Sequence, residues 1–212
     1  MLQGFSKKQQ QRMVSRKQKR YETSVKNPFA IFLKDLIEEI KKFDAELNVE
    51  PKDCIARINR DIRFSKDKTP YNLHYTAFIS GKGNKDKSIP GLYLRFGVEE
   101  IDIMAGCYGV SDTQLFNMRN AIKSDTQKFK DLYSNDKLVS KFGSIQGEEH
   151  KRIPKEFQET FEAEPLIAKK QFYVVAMRET ELLTSNHLVK ELMEYWHTAK
   201  PLNDFLTEAI KK

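Results

Sequence analysis

Cysteine, tryptophan and long apolar runs are scarce in this 212-residue chain, and each scarcity excludes a class of protein. The two cysteines, Cys54 and Cys107, lie far apart and neither belongs to a C-x-x-C pair. A thiol-based metal or redox site is therefore not expected, and a reducing cytoplasm is the expected compartment. No stretch approaches the roughly 20 apolar residues of a membrane-spanning helix, so no membrane partner is expected. The first ten residues, MLQGFSKKQQ, hold no apolar core segment, and a secretory leader is not expected. The nine glycines and seven prolines punctuate the chain without clustering. That leaves no linker, low-complexity tract or repeat of 20–50 residues, and one domain is expected over residues 1–212. Residues 1–21 lack any carboxylate but carry Lys7, Lys8, Arg12, Arg16, Lys17, Lys19 and Arg20. This first tenth of the chain supplies the whole formal charge of +7.

Hydrophobic residues make up 39% of the chain, enough for one sizeable core and too many for a disordered chain. Asn27-Pro28 reads as a helix cap followed by proline in the first turn. Phe29, Phe32, Leu33, Leu36, Ile40, Phe43 and Leu47 then recur at helical spacing, which predicts a helix over 28–47. A preceding basic helix is expected over 6–24. From residue 54 the period changes to two, predicting strands over 54–64, 71–80, 92–96, 101–108 and 171–178. Gly97–Glu100 reads as a four-residue turn that sets Arg95 opposite Asp102. Ser111 and Gln114 form a capping-box pattern before a helix over 112–123. Asn186 is expected to cap a helix bearing Leu188, Leu192 and Trp196, and Pro201 to start a last one. The expected fold is α+β: one domain with a mainly antiparallel sheet of about five strands, flanked by N- and C-terminal helices.

The densest chemistry lies in RINRDIRFSKDKTPY, residues 57–71. On a strand, Arg60 would fall on an apolar face with Cys54, Ala56, Ile58 and Ile62, where a guanidinium needs an anionic partner. On the other face Asp61 would lie between Arg57 and Arg63 and could hold one guanidinium by a bidentate pair. A turn over 65–70 would project Lys66 and Lys68, and Tyr71, His74 and Tyr75 re-enter on the next strand. Arg57, Arg60, Asp61, Arg63, Lys66, Lys68, Tyr71, Tyr108 and Arg119 are the expected ligand-binding residues, facing a phosphate or carboxylate. Tyr71 and His74 are the candidates for an acid or base. Glycines in Ala105-Gly106-Cys107-Tyr108-Gly109 permit close approach by a ligand or by another backbone. The loop GKGNKDKSIPG, residues 81–91, lacks phosphate-loop spacing. The four histidines lack metal-ligand spacing, so neither metal nor cofactor is expected.

The stretch 57–71 resembles the signature of domain of unknown function family 2461, a family of conserved hypothetical proteins. The resemblance continues through Pro90-Gly91-x-Tyr93-Leu94, Ala105-Gly106-x-Tyr108, Leu115-x-x-x-Arg119-x-x-Ile122 and the strand near Lys170–Val175, covering most of the chain. It implies a single α+β domain and no known reaction. It does not extend to the first helix, where an Arg-Glu-Trp-Phe-like segment of the family is replaced by KKQQQRMVSRKQKRY. Three functions are open at this point. One is a small-molecule site for a phosphorylated or carboxylated ligand, with or without a reaction. Another is a structural Arg–Asp network, with function on a protein-partner surface. The third is a nucleic-acid module using the basic N-terminus and the 81–87 loop.

Overall fold

The computed structural model describes residues 19–211. Of the expected basic helix, residues 19–26 are seen and are helical, while residues 6–18 lie outside the described part. Asn27 is not a cap, because the chain is already helical before it: Lys26 has φ −62° and ψ −49°. Pro28 offers no N–H to the turn behind it, and that turn, Glu22–Lys26, is wound as a π-helix closed by the Asn27 N–H on the Glu22 carbonyl. Helix α1 follows over Asn27–Lys41 and buries Phe29, Leu33, Leu36, Ile37 and Ile40. It ends before Phe43, which is exposed, although Leu47 beyond it returns to the core.

The remaining elements, in chain order, are α2 (Pro51–Cys54), β1 (Tyr75–Ile79), β2 (Gly91–Phe96), β3 (Glu100–Cys107), α3 (Asp112–Ser124), α4 (Thr126–Tyr133), α5 (Asp136–Phe142), α6 (Gln158–Ala163), β4 (Phe172–Glu179) and α7 (Leu188–Ile210). The four strands form one antiparallel sheet in the order β1-β2-β3-β4. The fold is α+β, with four strands rather than the five expected. Residues 54–64 supply the difference. They make only single bridges, Ile55 with Ala77 and Asn59 with Tyr71, and no residue from 55 to 74 is buried. Ile58 rests half-buried against the core, whereas Ile62 does not pack there, so the alternation does not build a buried strand face. Asp61 and Asp67 also capture nearby backbone N–H groups, those of Arg63 at 3.2 Å and Thr69 at 2.9 Å, in competition with a ladder.

One face of the sheet, bearing Ala77, Ile79, Leu92, Leu94, Ile101, Ile103, Ala105, Phe172 and Val174, is buried in the core. Helix α7 packs on β3 there and also touches α1, α3, α4 and α5. It is one helix, not the expected two, and Pro201 lies inside it. Trp196, Ala199, Leu202, Phe205 and Leu206 are buried on both sides of the proline. An interior proline costs about 3 kcal/mol, and burying each large apolar side chain returns about 1.5–3 kcal/mol, so packing carries the helix through. Asn186 does not cap it; the residue before the first turn is His187, without a side-chain cap bond.

Candidate functional site: the open face of the sheet

Strand register fixes what lies on the other face. Across the sheet, one row reads Thr76, Arg95, Asp102, Met177 and the next reads Phe78, Tyr93, Met104, Val175. A third row sets Gly91 beside Gly106 and Tyr173. Solvent-facing rows are normally polar; the first of these largely is, but the second is apolar and aromatic. Apart from Thr76 and Gly91, these residues line an open cleft of about 720 Å³ with His74, Lys87, Tyr108 and Gln146 at its rim.

At one end the floor is the backbone of residues 105–107. Gly106 has φ +122°, and a Cβ there would stand 2.2 Å from the Phe172 carbonyl oxygen. The glycine thus admits a neighbouring strand, one of the two uses its tract suggested. Tyr108 is 59% exposed, and its ring lies 5.9 Å from that of Tyr173. Both the Tyr108 and Gly109 N–H groups donate to the Lys87 carbonyl, at 2.9 and 3.2 Å, which ties the 81–91 loop to the end of β3. The Lys87 ammonium lies 5.9 Å from the Tyr93 ring centroid and has no carboxylate partner among the described residues.

At the other end Arg95 donates through Nε to Asp102 Oδ2 and through Nη2 to Glu100 Oε1, the latter at 3.2 Å. The Gly97 N–H closes the hairpin turn on the Glu100 carbonyl at 3.0 Å, and Arg95 and Asp102 face each other as the turn length predicts. Asp102 is 0% exposed, and its Oδ1 has no hydrogen-bond partner among the described residues. A buried polar atom left in that state costs on the order of 1–3 kcal/mol. Burial first, then the Arg95 charge, lowers the His74 pKa below the ordinary histidine value, against an opposing pull from Asp102. Burial raises the Tyr93 phenol above its ordinary range.

Of the residues expected to bind or react, His74 and Tyr108 line this cleft. Arg57, Arg60, Asp61, Arg63, Lys66, Lys68 and Tyr71 lie in the 55–74 excursion. Arg60 is not on an apolar face: its Nη1 donates to Asp67 Oδ2 and, at 2.5 Å, to Thr69 Oγ1. Asp61 does hold a guanidinium by a bidentate pair, accepting from Arg63 Nε at 2.9 Å and Nη2 at 2.6 Å. The Thr69 hydroxyl and N–H, followed by Arg60, hold the Asp67 carboxyl well below the usual range. Lys68 Nζ donates to the Ile62 carbonyl at 2.8 Å. Phe64 is 95% exposed. Arg119 is buried on α3 and donates to the Ile167 carbonyl at 3.0 Å, away from the cleft lining. The Ser111 capping box is formed, its Gln114 also donating to Ser88 Oγ at 2.9 Å.

The thiols of Cys54 and Cys107 are buried, and burial pushes both up to about 12, far from a reactive thiolate. Among the described residues no three of His, Cys, Asp and Glu gather as metal ligands would, and no helix is long and apolar enough to cross a membrane. Tyr93, Tyr173, Met104, Val175, Phe78 and Lys87 were missed by sequence reasoning. The signal was available: Tyr93, Met104, Tyr173, Val175 and Met177, on the positions facing away from the core, are more apolar than a solvated face needs.

Residues 2–205 match the family described as conserved hypothetical protein, domain of unknown function 2461. No curated protein and no solved structure matches the chain.

Proposed function

We propose, from the premise that the chain belongs to domain of unknown function family 2461, that its open sheet face binds a small ligand with an aromatic or apolar body and a phosphate or carboxylate. One observation carries this reading: a cleft of about 720 Å³, lined by Tyr93, Tyr108 and Tyr173, holds a lysine that no carboxylate among the described residues neutralises. Concave, mainly apolar sites with few polar groups are the usual form of small-molecule pockets. The tyrosines offer π faces, and Lys87 supplies the countercharge. The site is thereby moved from the 57–71 signature to the face beside it.

The signature has a second reading, favoured by its internal bonds. Arg60, Asp67 and Thr69 satisfy one another, as do Arg63 and Asp61. These residues shape the excursion that delivers His74 to the rim, in keeping with a structural Arg–Asp network.

Phenyl phosphate, an aromatic ring with one phosphate, is the first probe. At about a hundred times its dissociation constant it should stabilise the fold by roughly 2.7 kcal/mol. Lys87→Glu should remove that stabilisation and Arg60→Ala should leave it. The reverse pattern would place the anion site in the excursion and overturn the cleft assignment.

A further inference from the structure

The two ends of the cleft differ in chemistry. The Lys87 end is cationic and aromatic. The end formed by Arg95, Asp102 and His74 presents a buried carboxylate with one oxygen bonded and one not. Asp102 is a short side chain whose register partners, Arg95 and Met177, are both long, and this explains its burial. Arg95 is fixed by Asp102 and Glu100. Met177 is 66% exposed and anchored to nothing polar. His74 lines the same end without a hydrogen bond of its own among the described residues. An incoming donor would therefore meet an acceptor with a free lone pair and a neighbour that can rotate aside.

We infer that the ligand of this cleft is bifunctional: it carries a hydrogen-bond donor, an amine or hydroxyl, that Asp102 Oδ1 accepts, opposite the anionic group held near Lys87. This rests on the small-anion reading above and narrows it. The Lys87 ammonium lies beside Tyr93, and Tyr93 and Arg95 are two residues apart on β2, so the two ends are about 7 Å apart along the strand. That span suits a molecule of one ring with a polar group at each end. A plain aromatic phosphate would leave Asp102 Oδ1 unpaired. A ligand with an amine or hydroxyl there would complete it, and a hydrogen bond to a charged acceptor is among the stronger kinds.

The experiment compares three probes on the full chain by titration calorimetry: phenyl phosphate, tyramine, and tyramine phosphate, which bears an amine and a phosphate on one ring. Tyramine phosphate should bind at least about tenfold more tightly than phenyl phosphate. Asp102→Asn, which keeps the side-chain shape, should abolish that advantage. A second measurement needs no variant. The methyl resonance of Met177 should shift with tyramine phosphate and not with phenyl phosphate. Equal binding of the two phosphates, or an advantage that survives Asp102→Asn with a silent Met177 methyl, overturns the bifunctional assignment and leaves the anion site standing. Failure of both phosphates to bind overturns both.

Discussion

At the scale of single residues, position matters more than residue type. The chain has several glycines, but Gly106 is one that its neighbours cannot do without. Its φ is +122°, and a Cβ placed on it would stand 2.2 Å from the Phe172 oxygen, which leaves no room for alanine. Gly106→Ala should destabilise the fold by about 3 kcal/mol, combining backbone strain with overpacking. Urea denaturation measures this, and a loss below about 1 kcal/mol would show that β3 and β4 separate easily there. His74 offers a second test. Its folded pKa lies below the ordinary histidine value of 6.5 because burial and Arg95 disfavour its charged form. The unfolded chain therefore binds the proton more readily, so this histidine's contribution is present above pH 6.5 and lost as pH falls through the folded pKa. Histidine titration by NMR should give His74 a depressed value, and His74→Gln should flatten stability against pH in the window just below 6.5. A normal titration would mean that the ring points to water.

At the scale of elements, legibility follows burial. The helix over 112–124 is readable from Ser111 and Gln114 because its cap is local and its stripe of Leu115, Met118 and Ile122 faces one core. The hairpin of β2 and β3 is readable because the turn length fixes Arg95 opposite Asp102. Residues 54–64 read wrongly as a strand because Ile58 and Ile62 alternate as a strand would, while nothing in the sequence says whether a second layer exists to cover them both. The cleft itself is legible only in halves. Tyr108 and His74 stand out by type, but Tyr93, Met104, Val175 and Tyr173 become a surface only once the strands are placed side by side. Local chemistry at Pro201 argues for a break in helix α7, and the unbroken apolar stripe overrides it. That balance is testable. Pro201→Ala restores one backbone hydrogen bond and should raise stability by about 1–2 kcal/mol, the helix gain less the entropy that proline removes from the unfolded chain. A loss instead would show that the packing of Leu202 and Phe205 depends on a bend at the proline.

At the scale of the whole molecule, charge and cleft are separate features. The formal +7 comes entirely from residues 1–21, since the remaining 30 cations and 30 carboxylates cancel. Five of the seven N-terminal cations, Lys7, Lys8, Arg12, Arg16 and Lys17, precede residue 19. Polyanion attraction and small-ligand binding should therefore come apart. Any binding of a short oligonucleotide to the full chain should weaken steeply with salt, with a logarithmic slope of about −0.7 for each single-strand phosphate contacted. Removing residues 1–18 should flatten that slope while leaving phenyl phosphate binding unchanged, because Lys87 and the tyrosines of the cleft lie on the sheet and its loops. Fluorescence anisotropy across a salt series, run beside the calorimetry, measures both. If the truncated chain keeps its oligonucleotide affinity and phenyl phosphate competes with it, the cleft is the nucleic-acid site and its aromatic rows stack bases. If truncation abolishes oligonucleotide binding alone, the basic segment carries the polyanion attraction, and the aromatic sheet face is free to recognise a small molecule on its own terms.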